Sequence, residues 1–261
     1  MDSVRSGVLA AVVVCGGLVA CSSEQRDASE PATAMSSVAA SAPSSAVRSS
    51  VAAPTSVAAR VDPSLNEPLF QAAAADDADA VRSLLARGAQ IEARGAGGRT
   101  PLVAATKNRA TRAARVLIDA GADVNAKDDM QDSAYLYAGA EGYDEILEMT
   151  LQHGADLRSV NRFGGTALIP AAEHGSVTTV RRLIEAGVDV DHVNTPRWTA
   201  MQEAVVYGDG SGRYQDTVRA LLDAGADPNI RDANGRTVED NARRLGQGAI
   251  VEILRSHRGG N

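Results

Sequence analysis

The densest cluster of groups able to do chemistry in this chain is "YGDGSGRYQD", Tyr207 to Asp216, where glycines alternate with Asp209, Ser211 and Arg213. Such a loop could cradle a phosphate on its backbone amides, or gather a carboxylate, a hydroxyl and a guanidinium around a small ligand. A phosphate loop needs a strand before it and a helix directly after it. No strand pattern precedes Tyr207, and helical periodicity is expected to resume only near Gln215 or Asp216. Elsewhere, His153, His174, His192 and His257 lack the four-residue spacing that sets two ligands on one helix face. No serine lies in a nucleophile-elbow pattern, and no Walker-type loop is present. The expectation is a non-enzymatic chain without metal or cofactor. A small-ligand or enzymatic role centred on 208–216, and a purely structural spacer, stand as alternatives.

The 261 residues carry a formal net charge of −7, which argues against nucleic acid as a partner, since neutralising phosphates takes a basic face. Both cysteines, Cys15 and Cys21, lie near the start, so the folded part must be held by packing alone. The opening "MDSVRSGVLAAVVVCGGLVAC" has Arg5 and then an apolar run from Val8 to Ala20. A bilayer span needs about 20 apolar residues, so this shorter run reads as a signal-peptide core, residues 1–20. From Ser22 to about Asp62 the chain is Ser, Ala, Pro and Val without period. With no large apolar groups to bury, residues 21–62 are expected to form a disordered tether reaching roughly 30–40 Å.

The remainder, 63–261, is organised by a repeat. "LLARGAQIEA", "LIDAGADVNA", "LQHGADLRSV", "LIEAGVDVDH" and "LLDAGADPNI" align on Gly88, Gly121, Gly154, Gly187 and Gly225, 33 residues apart until a last interval of 38. A second marker, at Thr100, Ser133, Thr166 and Thr199, keeps step and opens a short helix that its hydroxyl can cap. The helix that follows carries a stripe such as Val177, Val180, Leu183 and Ile184, and stops at a glycine suited to the left-handed region. Small residues such as Ala104, Ala105, Ala171 and Ala172 allow neighbouring units to approach, and the units must stack to bury their apolar faces. The first unit has Asp76 and Asp77 in place of a turn glycine, and the last has Arg255 at a core position, as solvent-facing caps would. In the third unit Gly139 and Thr150 weaken the pattern, so that unit is expected to open most easily.

These markers resemble the ankyrin repeat from about Glu67 to Ser256, in six units at 67–99, 100–132, 133–165, 166–198, 199–236 and 237–257. The resemblance implies an all-α solenoid of stacked helix-turn-helix units with β-hairpin fingers. It implies a monomer that binds a protein partner in the groove lined by the fingers and the first helices. Carried over unit by unit, the fingertips are Arg99, Met130, Asp132, Phe163, Arg197, Trp198 and Arg236; outward positions late in the first helices include Lys107, Glu141, His174 and Tyr207. Trp198, Phe163 and Tyr207 are hot-spot types; Trp198 reads equally as a residue that packs against the neighbouring finger and stiffens the hairpin, and Phe163 reads first as a structural residue. In this register Gly208 takes the place of Gly175 and Thr217 that of Thr179, so 208–216 is an elongated turn, with Arg213 and Tyr214 as a secondary contact. "LVAC", Leu18 to Cys21, resembles the lipobox of bacterial lipoproteins. That implies cleavage before Cys21, its acylation, and an extracytoplasmic location, on the outer leaflet of the cell membrane or on an outer membrane in a Gram-negative cell.

Overall fold

The computed structural model describes residues 61–259; the expected signal peptide, Cys21 and all but the end of the expected tether lie outside them. The described residues form twelve α-helices in six pairs, with short 3-10 helices at Pro63–Leu65 and Ala96–Gly98. These are α1 (Asn66–Ala74) with α2 (Ala78–Ala86), α3 (Pro101–Lys107) with α4 (Thr111–Asp119), and α5 (Ala134–Glu141) with α6 (Asp144–Gln152). They continue as α7 (Leu168–Glu173) with α8 (Val177–Ala186), α9 (Ala200–Val206) with α10 (Gly212–Asp223), and α11 (Val238–Arg244) with α12 (Gly248–Gly259). First helices pack on first helices from α1 to α11, and second helices on second helices from α2 to α12, giving two rows.

After α1, which follows Leu65 without a side-chain cap, the first helices are opened by a hydroxyl. Thr100, Ser133, Thr199 and Thr237 accept from the backbone N–H three residues on, at 3.1–3.3 Å. Thr166 is the exception: its Oγ1 is buried without a partner, and α7 begins two residues later. The cause is Pro170. In the other units the capping residue's carbonyl accepts from the fourth residue on, as from Glu203 to Thr199, but proline has no N–H to give. The Thr166 carbonyl bonds Ile169 N–H instead, and that amide is lost to the hydroxyl.

Second helices end on Gly88, Gly121, Gly154, Gly187 and Gly225, all at φ between +82° and +102°, where a side chain would be strained. Their stripes face inward: Val180 and Leu183 of α8 are fully buried, each contributing about 1.5–3 kcal/mol of apolar transfer. In the first unit Asp76 does more than replace a glycine. It adopts φ +57°, and its Oδ1 accepts from Ala113 N–H of α4 at 2.8 Å while Oδ2 meets Arg112 Nε at 2.9 Å. It therefore caps a helix of the next unit. At the other end, Arg255 is exposed and pairs with Glu239, which also receives Arg243 and Arg258.

Gly139 is not merely a weak point of the third unit. A Cβ there would lie 2.8 Å from the Cβ of Ala167, so its absence is what lets α5 approach the start of α7. The connections that form the fingers contain no strand among the described residues. They are turns, each closed by two backbone bonds such as Asn194 N–H to Trp198 O at 3.0 Å and Arg197 N–H to Asn194 O at 2.9 Å, and some are linked to neighbours by bonds such as Thr195 N–H to Phe163 O at 2.9 Å.

Candidate functional site

The fingers are positioned by a residue that periodicity alone did not single out. Five places before Ser133, Thr166, Thr199 and Thr237 stand Asp128, Asn161, Asn194 and Asp232, while Gly95 holds that place before Thr100. Their side-chain oxygens accept fingertip amides: Asp128 from Met130 and Asp132, Asn161 from Phe163 and Gly165, Asn194 from Trp198, and Asp232 from Asn234 and Arg236. This side-chain-to-backbone pattern is a sequence signal in its own right, an Asx residue spaced from a Ser or Thr cap.

Fingers and first helices enclose a cleft of about 350 Å³. Six residues flagged by register meet there: Asp132, Glu141, Phe163, His174, Trp198 and Tyr207. Phe163 and Tyr207 are more than half exposed, and the Trp198 and Tyr207 rings meet edge to face with centroids 5.4 Å apart. Trp198 thus packs against the end of α9, the first helix that follows its finger. His174 is fixed by a hydrogen bond from Nδ1 to the Ala140 carbonyl at 2.8 Å. A larger hollow, about 630 Å³, lies between α10 and α12, but it has no aromatic wall beyond His257.

The other flagged residues fall elsewhere. Met130, Arg197 and Arg236 are exposed outside the cleft, and Arg99 points toward Asp128 at 3.9 Å. Lys107 is not a free contact: its Nζ lies 2.8 Å from Asp128 Oδ2, 2.9 Å from Asp132 Oδ2 and 5.1 Å from the Tyr137 ring centre. Burial works against that ammonium, but the two carboxylates outweigh it and hold its pKa above the usual value.

Two acids missed by sequence reading line the same cleft, Glu173 at the end of α7 and Glu203 in α9. Glu203 is 6% exposed, and its Oε1 accepts from Asn194 Nδ2 at 2.7 Å. Burial, reinforced by the charge of Glu173, pushes its pKa up to about 7 despite the Asn194 bond. Tyr207 is raised as well, first by burial and then by the charges of Glu203 and Glu173. A glutamate inside a predicted helix gives no sign that it faces inward, which is why periodicity passed over Glu203.

The 208–216 stretch differs from its expected form. The helix after it starts at Gly212, not at Gln215 or Asp216. That extra turn carries Tyr214 into the core at 5% exposure, where its hydroxyl donates to the Glu173 carbonyl at 3.1 Å; it is not a surface contact. Arg213 stays exposed, stacked 4.7 Å from the Tyr214 ring centre. Gly208 is required by close approach and not by a left-handed turn: a Cβ there would lie 2.1 Å from the Ala204 carbonyl oxygen. Gln247 of the next unit donates to the carbonyls of Val205 and Gly208, both at 2.9 Å, clamping the insertion down.

The family model described as ankyrin repeats (3 copies) matches two segments, residues 37–128 and 135–232. The chain is similar to the crystal structure of an ankyrin repeat domain from Acinetobacter baumannii, at 54% identity and TM-score 0.71, covering 73% of this chain and 97% of that one. It is also similar to a second ankyrin repeat protein of known structure, at 42% identity and TM-score 0.70, with the same coverage of both chains. No curated protein sequence matches. The chain belongs to the ankyrin repeat family. Ankyrin repeats point to a protein-interaction module.

Proposed function

We propose that this protein is a non-catalytic interaction module held at a bacterial cell envelope, where it captures an envelope or extracytoplasmic protein in the cleft between its fingers and first helices. The observation that carries this reading is the cleft itself, where Phe163, Trp198 and Tyr207 are presented on one concave surface. Aromatic residues held in a preformed concavity bind at low ordering cost. The insertion supports the same reading: Asp209 accepts from Ser211 N–H within the loop, the Gly208 carbonyl accepts from Gln247 of the next unit, and Arg213 lies over the Tyr214 ring, so these groups serve the turn and its docking. The bacterial source of one similar structure fits the lipobox-like "LVAC". Acylation at Cys21 would anchor the chain, since several acyl chains hold a protein stably where one holds it marginally. The tether would then keep the repeats off the membrane as a monomer.

The test is chemical cross-linking in native membranes followed by mass spectrometry, comparing wild type with the Trp198→Ala/Tyr207→Ala double variant. The reading predicts a discrete protein adduct that the double variant loses while its far-ultraviolet circular dichroism is unchanged. An adduct of equal yield from both would overturn it.

A further inference from the structure

We propose that the cleft takes the cationic head of an arginine or lysine side chain from the protein partner, with Glu173 and Glu203 as counter-charges and Trp198 and Tyr207 as walls. The proposal rests on the groove-binding reading above. Its first support is charge: Asp132, Glu141, Glu173 and Glu203 line the cleft, and of these only Asp132 has cations of the chain beside it, Lys107 and Arg162. Arg162 sits at the far end, stacked on Phe163 with 4.7 Å to the ring centre and 3.9 Å from Asp132, so it does not serve the two glutamates. Among the described residues no cation pairs with Glu173 or Glu203. Glu203 is 6% exposed; its Oε1 is bonded by Asn194, and among the described residues no hydrogen bond reaches Oε2.

The second support comes from the repeat register. Lys107, Asp128, Asp132 and Tyr137 form a complete cation site in which the protein supplies its own ammonium between two carboxylates and over an aromatic ring. Two units further along, the same four register positions hold Glu173, Asn194, Trp198 and Glu203. The acids and the aromatic ring are present again, redistributed, but the position of the internal cation is taken by an acid. In the unit between, those positions are Ala140, Asn161, Gly165 and Pro170, whose small side chains leave the floor of the cleft open. The chain thus fills one site with its own cation and leaves the other, next to an open volume, for a cation from outside. Holding an acid at 6% exposure without a counter-ion is unfavourable, and an incoming cation relieves it.

Trp198 is the chain's single tryptophan, so its emission reports directly on the cleft. The full chain would be titrated at pH 8.5 with acetyl-Ala-Arg-Ala-amide and with the same peptide carrying citrulline, which keeps the shape of arginine without its charge. The expected result is a saturable emission change for the arginine peptide and a Kd at least ~10-fold weaker for citrulline. Glu173→Gln and Glu203→Gln should each weaken the arginine peptide about 5–10-fold while leaving the circular dichroism unchanged. Equal affinity for both peptides, no saturable change, or wild-type affinity in both Gln variants would overturn the proposal. Spermidine binding more tightly than the arginine peptide would overturn the partner protein as the source of the cation. If Trp198→Ala/Tyr207→Ala abolishes partner capture while the two peptides bind alike, the cation site falls and the groove reading stands. If capture survives that double variant, both fall.

Discussion

Replacing Glu203 by Gln removes the one buried carboxylate in the cleft and should stabilise the protein in a pH-dependent way. The folded structure raises this group from 4.5 to about 7, chiefly by burial and then by the charge of Glu173. With a raised folded-state pKa, the contribution to stability is fully present below pH 4.5, where the group is protonated in both states. It is lost as the pH rises through about 7, because the folded state must then hold a charge that the unfolded chain solvates freely. At about 1.4 kcal/mol for each pK unit, wild type loses about 3 kcal/mol through this group between pH 4 and 8.5. Gln keeps the shape and can still accept the Asn194 hydrogen bond, but it does not titrate. Urea unfolding of the full chain, followed by circular dichroism at several pH values, measures the difference. Glu203→Gln should match wild type near pH 4 and exceed it by about 3 kcal/mol at pH 8.5. A difference independent of pH, or one favouring wild type at high pH, would refute the reasoning.

Gly139→Ala separates two opposing effects. Helix propensity alone would stabilise α5 by about 1 kcal/mol, but the added methyl meets Ala167 at 2.8 Å, and overpacking of that kind costs about 1–3 kcal/mol. Denaturation should show a net loss; a gain would mean that α5 and α7 are not closely packed. Asp76→Ala removes a cap donated across units and places Ala at φ +57°, costing about 1–2 kcal/mol, while Asp76→Asn retains the left-handed tolerance and should lose less. Equal losses in the two variants, by thermal melting, would contradict this. Tyr214→Phe loses the bond to the Glu173 carbonyl and about 1 kcal/mol, and Tyr214→Ala about 3–5 kcal/mol. Unchanged unfolding midpoints would return Tyr214 to the surface.

The repeat was legible because stacking imposes the same demand on every unit. A cap, an apolar stripe and a left-handed glycine recur where the backbone needs them, and Thr100, Ser133 and Thr199 could be placed from their spacing alone. Where two residues interact across an element, spacing was not enough. Thr166 occupies the capping position, but Pro170 withdraws an amide, and its hydroxyl loses its role. Gly139 reads as a poor helix former until Ala167 is placed against it. In the candidate site, the aromatic members were visible through their residue type. Glu203 was not, because helical spacing says nothing about whether a glutamate points to solvent or to a cavity. Tyr214 and Gly208 were hidden for a related reason: the insertion lengthens α10 backwards, and only a folded neighbour reveals the space that Tyr214 fills.

The claim that the concave face is the working surface is tested most directly by placing a photo-cross-linking amino acid at a single position in the full chain. One form carries it in place of Tyr207, at the cleft, and another in place of Arg181, exposed on α8 in the second-helix row. After irradiation in native membranes, the account predicts a discrete protein adduct from position 207 and none from position 181. The same adduct from both positions, or an adduct from position 181 alone, would contradict it.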